Sequence, residues 1–310
     1  MNKVKIFFPV LFFVLASVNP LSASGEERKK IKVLTSFLPV YIFTLNVVGE
    51  SDRIDVACLI AGEAGPHDYQ MRPSDMRKVE DADFIIINGL GIEEFLGDLI
   101  AGRKTKGTLL ESASGLPLLE TGAHKEEEGH DDHPHHGEHN PHTWVSPKLA
   151  AMQVMNIAKF LSAIDPAGAA IYMKNGEKYA DSLNRLNEEI KTMVAALPDK
   201  RIVTVHNAFD YLARDTGLHV VSVIYHRPGE GPSASEMGRL TAMMRKEKVK
   251  ALFTEPLFSE KRVRVIAKES GARVGALDPV ATGDPSKELY HRLMRKNMTV
   301  LKEMLSPQPK

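Results

Sequence analysis

The chain has 310 residues, of which 43% are hydrophobic and 26% are charged, as in globular proteins that bury a substantial core. Lys and Arg together number 40, and so do Asp and Glu, so no overall charge directs the protein to nucleic acid or to an anionic membrane. The length exceeds that of most single domains and predicts two lobes.

The first 24 residues have the pattern of a secretory signal peptide. Lys3 and Lys5 precede an apolar run at 6–18, and small residues follow at 22–24. The run is too short for a typical membrane span, and no later stretch reaches ~18 uninterrupted apolar residues. The single cysteine, Cys58, has no intrachain partner and is predicted to be a buried strand residue. We therefore expect an exported chain without a lipid anchor or a disulfide.

Short apolar runs alternate with helical patterns in both halves of the chain. Eight runs rich in aliphatic and β-branched residues predict buried strands. They lie at 31–37, 53–60, 83–89, 107–112, 201–206, 219–225, 249–255 and 272–278. The segments 40–49 and 73–81 predict helices, and Pro73 and Ser74 suit a helix start. This alternation predicts an α/β fold of two lobes, each with a mostly parallel sheet flanked by helices.

A stretch without strand signals, at 166–197, separates the two halves. Its apolar residues follow one another in steps of four and three, which places them on one face of a helix. They are Tyr179, Leu183, Leu186, Ile190, Met193 and Leu197. A helix of this length spans roughly 45 Å. The sequence thus predicts an N-terminal lobe at 25–165, one long rigid linking helix, and a C-terminal lobe at 198–310.

Three histidines and one aspartate stand at the ends of predicted strands or in loops flanked by Pro and Gly. His67 follows the second strand, His142 lies in "HNPHTWVSP", and His206 and Asp278 end strands. Each one alone is more often solvated or hydrogen-bonded than metal-bound. Together they predict a metal site, because ligand sites in open α/β sheets collect at the carboxyl ends of strands. Three imidazoles and a carboxylate suit Zn²⁺, whereas manganese prefers more oxygen ligands.

The segment 121–140 is rich in histidine and acidic residues and is interrupted by Gly and Pro. Its histidines are His124, His130, His133, His135, His136 and His139. This composition cannot build a core and predicts a disordered surface loop. We expect its imidazoles to bind metal weakly as an auxiliary to the main site. The alternative is a solvated insertion that is indifferent to metal.

Other polar residues receive more local interpretations. Glu255 in "FTEPLF" ends a strand near the predicted site, and it is either a partner that orients an imidazole or a charge at a loop mouth. Ser233 and Glu236 match a helix capping box. Three histidines have no companions at ligand spacing and are predicted to be structural or surface residues: His219, His226 and His291.

Five sequence blocks carry a resemblance to a known family: "GPHDYQMRPSD", "NPHTWVSP", "HNAFDYLARDTGL", "FTEPLFSEK" and "ALDPVATG". In this order, and over about 30–305, the chain resembles the metal-binding solute-binding proteins of bacterial ABC importers, and among them the periplasmic zinc-uptake members. The resemblance implies two α/β lobes joined by one long helix, with metal between the lobes. It also implies ligands at His67, His142 and His206, with Asp278 at the position of a fourth carboxylate.

The leading hypothesis is therefore a periplasmic, monomeric carrier that captures Zn²⁺ and delivers it to an inner-membrane ABC permease with its cytoplasmic ATPase. Either Asp278 or water is the fourth ligand. A carrier of the same fold for manganese, iron or copper is an alternative, because affinity order alone does not select zinc. A zinc-dependent hydrolase is a further alternative, since three histidines with an open position can activate water. No HExxH motif or nucleophile elbow supports it, so we expect no enzyme.

Overall fold

The computed structural model describes residues 29–62, 65–97, 108–120, 139–225 and 232–307. Within them the chain forms two four-stranded parallel sheets, one from each half of the sequence. The predicted signal peptide, His226 and the His-rich loop except residues 139–140 lie outside the described residues. Among the helices that are described, none is long and apolar enough to cross a membrane.

The first sheet has the strand order β2-β1-β3-β4, and all neighbouring strands are parallel. Its strands are β1 (Ile31–Phe37), β2 (Ile54–Ile60), β3 (Phe84–Ile87) and β4 (Leu109–Glu111). Helix α1 (Leu38–Val48) follows β1 directly, and α2 (Pro73–Asp81) lies between β2 and β3 and begins at the predicted proline. The aliphatic runs that predicted strands thus form strands, and the carboxyl ends of all four strands lie at one edge of the sheet.

Two packed helices connect the halves of the chain. Helix α3 (Pro147–Ile164) starts at Ser146, whose hydroxyl accepts a hydrogen bond from the backbone N–H of Leu149. Helix α4 (Ala169–Ala195) has 27 residues and is therefore about 40 Å long. Gly176 of α4 allows close packing on α3, because a Cβ there would lie 2.6 Å from the Ala158 Cβ. The two helices consequently form one stiff unit.

The apolar face predicted for the long helix faces the core. Five of its six predicted positions are buried, and the sixth, Met193, is partly buried against the core. A bidentate ion pair between Arg53 and Asp165 joins the start of β2 to the turn before α4, and the Tyr172 hydroxyl also donates to Asp165. This buried network fixes the first turn of α4 to the first sheet.

The second sheet repeats the topology of the first, with the strand order β6-β5-β7-β8 and parallel neighbours. Its strands are β5 (Arg201–Thr204), β6 (His219–Val223), β7 (Ala251–Thr254) and β8 (Arg273–Ala276). Its helices are α5 (Asp210–Thr216), α6 (Ala234–Glu247), α7 (Glu260–Ser270) and α8 (Leu289–Leu305). The predicted capping box is present at the start of α6, where the side chains of Ser233 and Glu236 each accept from the other's backbone N–H. The predicted α/β fold with two parallel sheets is confirmed.

Cys58 differs from its prediction in burial. It lies in a strand as expected, but it is only partly buried, because β2 is the edge strand of its sheet. Its thiol donates to the Ile60 carbonyl at 3.2 Å, and burial raises the pKa of the thiol to about 11. The cysteine is therefore a protonated thiol at neutral pH.

Candidate metal centre

Three histidines from distant segments converge at the carboxyl ends of the strands. His67 lies in the short 3-10 turn Pro66–Asp68 after β2, His142 directly precedes the turn Thr143–Val145, and His206 follows β5 of the second sheet. One potential ligand nitrogen from each ring lies within 4.8 Å of the others. Within the described part of the chain, this is the one group of three or more His, Cys, Asp or Glu residues with such spacing.

The spacing of these rings is close to what a single divalent ion requires. The ring centroids of His67, His142 and His206 lie 4.9 to 5.9 Å apart. The Nε2 atoms of His67 and His142 are 2.9 Å apart. A tetrahedral zinc with Zn–N bonds of about 2.0–2.1 Å separates its nitrogens by roughly 3.3 Å. A separation of the two rings by about 0.4 Å would therefore suffice to admit the ion.

His142 is buried and tightly oriented. The Asn140 Oδ1 accepts hydrogen bonds from both the backbone N–H and the Nδ1 of His142, at 3.0 and 2.8 Å. Since Nδ1 donates its proton there, Nε2 carries the lone pair and faces the other two histidines. The Asn140 amide in turn donates to the backbone carbonyl of Asn207, the residue after His206. One asparagine thus links two of the three histidines.

His206 is held by an acidic and an aromatic neighbour. Its Nδ1 lies 2.5 Å from the Oε1 of Glu255, a buried carboxylate at the end of β7. The ring N–H is not directed at that oxygen, so the contact is electrostatic more than a well-formed hydrogen bond. Phe258 stacks on the other side, with ring centroids 5.2 Å apart and an angle of 21° between the planes. These contacts leave Nε2 of His206 for the three-histidine group.

Two of the imidazoles are adapted to stay neutral. Burial lowers the pKa of His142 well below its usual value, and His206 and His67 lower it further. The pKa of His67 falls to about 4, first because protein atoms displace water from its ring and second because His206 is close, although part of the side chain stays exposed. Neutral imidazole is the form that binds a metal, so both rings are ready to do so at neutral pH.

The structure does not bring Asp278 into this group. Its buried carboxylate accepts hydrogen bonds from the Ala281 backbone N–H, at 2.7 Å, and from the Thr282 hydroxyl. The Asn297 side chain holds the Asp278 backbone from the other side. The sequence predicted an aspartate at the end of this strand, but hydrogen-bond donors at Ala281 and Thr282 direct its side chain into the local turn.

Of the other predicted histidines, the structure describes three, and none of these joins the group: His139, His219 and His291. His139 pairs with Glu120 in an isolated antiparallel bridge and is partly buried. His219 is exposed at the start of β6, and His291 packs against the rings of Tyr179 and Tyr290. The last two agree with the prediction of surface and structural roles.

Sequence reasoning missed the two asparagines that support His142. Asn140 orients its ring, and Asn88 at the end of β3 binds the backbone carbonyl of Pro141. Asn140 stands in the "NPH" block, and this position beside a predicted ligand could have indicated it. No sequence signal joins Asn88 to a residue more than 50 positions away, because that contact depends on the tertiary fold.

Two parallel-sheet lobes carrying this group define a class, the solute-binding proteins. The structure of the solute-binding protein FpvC of Pseudomonas aeruginosa in complex with Ni²⁺ matches with a TM-score of 0.77 and 28% identity, over 91% of this chain and 100% of that one. This match agrees with the expectation of a binding protein and not an enzyme.

The family is shown by sequence. The family described as zinc-uptake complex component A, periplasmic (ZnuA), matches residues 33–304, and the chain belongs to it. The high-affinity zinc uptake system protein ZnuA of Bacillus subtilis strain 168 is 30% identical over 307 residues, with 95% of this chain and 94% of that protein covered. The zinc-binding lipoprotein AdcA of Streptococcus pneumoniae TIGR4 is 31% identical over 311 residues, which cover 98% of this chain. The chain spans only 61% of the length of AdcA.

Proposed function

We propose that the protein is a periplasmic carrier that binds Zn²⁺ between its two lobes and delivers it to the permease of an ABC importer. The observation that carries this proposal is the set of three imidazole nitrogens within 4.8 Å of one another, contributed by segments that follow strands of both sheets. Membership of the zinc-uptake family supports both the cargo and the partner, a permease with its cytoplasmic ATPase. The predicted signal peptide would export the chain to the periplasm, where it would act as a monomer.

His67, His142 and His206 are the proposed ligands, with Glu255 orienting the ring of His206. Three neutral imidazoles fill three positions of a tetrahedral zinc and leave the fourth to water or to a carboxylate. Asp278 can take that fourth position only if its carboxylate gives up its bonds to the backbone of the following turn. Substitution of this aspartate therefore decides between the two.

The linking helix bears on how the ion is released. We assign the lobes to 25–165 and 198–310, joined through 166–197, and α4 occupies 169–195 of this link. A helix that packs along α3 and α1 resists bending, so a wide hinge motion is disfavoured. Release would then come from local movement of the ligands when the permease binds. His67 is suited to move first, because it is the exposed member of the three.

The histidines of the 121–140 segment are proposed to be an auxiliary, weaker metal-binding set. Many imidazoles close together in sequence can bind metal weakly and raise its concentration near a tight site. Their role is separable from that of His142, which follows the segment and belongs to the three-histidine group.

A competition titration against a chromophoric zinc chelator tests the proposal. The wild-type chain should show one tight zinc equivalent, and deletion of 124–138 should keep that equivalent while removing weak ones. His67→Ala, His142→Ala and His206→Ala should each lose the tight equivalent. The assignment would be wrong if the deletion abolished tight binding and the three substitutions left it intact.

Nickel is the second candidate cargo. Three nitrogen donors suit nickel as well as zinc, and structures of the similar FpvC contain Ni²⁺ in one case and Mn²⁺ in another. Manganese prefers oxygen ligands and fits this set less well. The metal content of protein purified from its native compartment distinguishes these cargoes, because affinity order in the test tube favours copper and nickel over manganese at any such site.

A further inference from the structure

A strained turn at the end of β3 lies beside the proposed metal site. In the segment "NGLGIE", Gly89, Leu90 and Gly91 have φ angles of 88°, 62° and 80°. Glycine adopts this left-handed region readily, but leucine rarely does so unless its surroundings hold it there. Three left-handed residues in succession therefore point to a turn whose shape is imposed by tertiary contacts.

The carboxylate of Glu93 holds this turn from inside. Its Oε1 accepts hydrogen bonds from the Asn88 backbone N–H at 2.7 Å and from the Ser36 hydroxyl at 2.8 Å. Its Oε2 accepts from the Gly89 backbone N–H at 3.0 Å. The side chain is buried, so these three donors take the place of water. They tie the carboxyl end of β1 to the carboxyl end of β3.

The side chain of Asn88 extends from this turn to both neighbours of His142. Its Nδ2 donates to the Pro141 carbonyl at 3.0 Å, and its Oδ1 accepts from the Thr143 hydroxyl at 3.1 Å. The Oδ1 also accepts from Nε2 of Gln153 on α3 at 2.8 Å. Asn88 has no exposed surface. One buried amide thus holds the backbone carbonyl before His142 and the side-chain hydroxyl after it.

We propose that Asn88, fixed by the turn at 88–93 and the Glu93 carboxylate, is a positioning residue that sets where His142 presents its Nε2 to the metal. This inference rests on the proposed function. Asn140 fixes the rotation of the His142 ring, whereas Asn88 fixes the position of the backbone next to His142. His142 is the buried ligand and His67 is the exposed one. The contacts of Asn88 with Pro141 and Thr143 therefore hold one ligand in a fixed position, and the other ligands adjust to it.

Asn88→Ala, with two controls, tests the inference. Removing a group that orients a metal ligand typically lowers metal affinity about 10- to 100-fold, and we expect a loss in this range for Asn88→Ala. Gln153→Ala removes a bond to the same Asn88 oxygen without touching 140–143, and it should leave the affinity within about threefold. Asn156→Ala is the second control, because its Nδ2 donates to the carbonyls of Ser112 and Ser114 instead. Chemical denaturation of the metal-free variants reports their stability alongside.

A milder variant keeps the test decisive if Asn88→Ala does not fold. Thr143→Val keeps the shape of the side chain and removes its hydrogen bond to Asn88, and we expect a loss of about 3- to 10-fold. The visible spectrum of the Co²⁺-loaded protein should also shift in Asn88→Ala and Thr143→Val but not in Gln153→Ala, since it reports ligand geometry. A purely structural role would lower stability without changing that spectrum.

Two results would overturn the inference. The first is wild-type zinc affinity and an unchanged Co²⁺ spectrum in both Asn88→Ala and Thr143→Val. The second is an equal loss of affinity in Gln153→Ala at matched stability. Failure of the proposed function looks different, because then the wild-type chain itself would lack a tight zinc equivalent, or His142→Ala would keep it.

Discussion

Replacement of His142 by alanine is the most informative single change to the proposed site. Zinc binds structural sites with roughly 10–16 kcal/mol near neutral pH, so each of four ligands accounts for roughly 2.5–4 kcal/mol. At about 1.4 kcal/mol per factor of ten, loss of one ligand should weaken binding by about 100- to 1,000-fold. His142→Ala should reach this range, because its Nε2 faces the other two histidines at the center of the group.

The same substitution should also lower the stability of the metal-free protein. The His142 ring is buried, and its removal leaves the Asn140 Oδ1 without one of its two donors from this residue. Because the backbone N–H of residue 142 still donates to this oxygen, the lost hydrogen bond costs about 0.5–1.5 kcal/mol. His67→Ala provides the contrast, since an exposed side chain makes a small contribution to folding. It should lose zinc affinity to a similar extent and keep nearly the wild-type stability.

The assay pairs a chelator competition titration with urea denaturation of the metal-free chains. His291→Ala is the matched control, because this half-buried histidine packs on Tyr179 and Tyr290 away from the three ligands. It should keep wild-type zinc affinity whatever it does to stability. The reasoning is refuted if His67→Ala binds zinc within about threefold of wild type, or if affinity follows stability across all three variants.

Three further predictions concern the surroundings of the site. Glu255→Gln weakens the contact that orients His206, so it should lower zinc affinity about 10-fold in a chelator competition while the fold is retained. Unchanged affinity would show that Glu255 does not support the site. Asp278→Asn keeps an acceptor for the turn but is a poor ligand. Lower zinc affinity would assign the fourth position to Asp278, and the unchanged affinity expected from its bonds to the turn would assign that position to water. Burial raises the pKa of Glu93 from 4.5 to about 7, which means that the folded protein favours the protonated side chain. The stability that this preference contributes is full below pH 4.5 and is lost as the pH rises through 7, by up to about 3 kcal/mol. Urea denaturation of Glu93→Gln between pH 5 and 8 should show a flatter pH dependence than wild type, and parallel curves would contradict it.

The strands of this fold could be predicted closely from sequence because their signal is local. The run at 31–37 forms β1 with the predicted bounds, and the other seven strands fall within their predicted runs. The long helix also follows from the spacing of its apolar residues. Helix α1 begins at Leu38, two residues before its predicted start, because Pro39 fits the first turn and no loop separates it from β1.

The metal site could be predicted only in part. Strand ends and loops flanked by Pro and Gly identify where side chains collect, and with the family resemblance they single out His67, His142 and His206, which the structure brings together. The direction of a side chain at a strand end depends on donors in the following turn, which is why Asp278 lies outside the group in this structure. The hydrogen bonds of Asn88 to the 141–143 segment could not be predicted, since both of its partners there are distant in sequence.

The three proposed ligands differ in how firmly they are held, and this difference suggests the order in which they bind. His142 is fixed by Asn140 at its ring, and His206 lies between Glu255 and Phe258. His67 and His142 face each other through Nε2 at 2.9 Å, a hydrogen-bond distance that requires one of the two nitrogens to carry a proton. Asn140 accepts the His142 proton at Nδ1, so the shared proton is on His67. Binding of an ion through Nε2 of His67 therefore requires the proton of this neutral ring to move to Nδ1, and we expect His67, the exposed member of the three, to bind last and leave first.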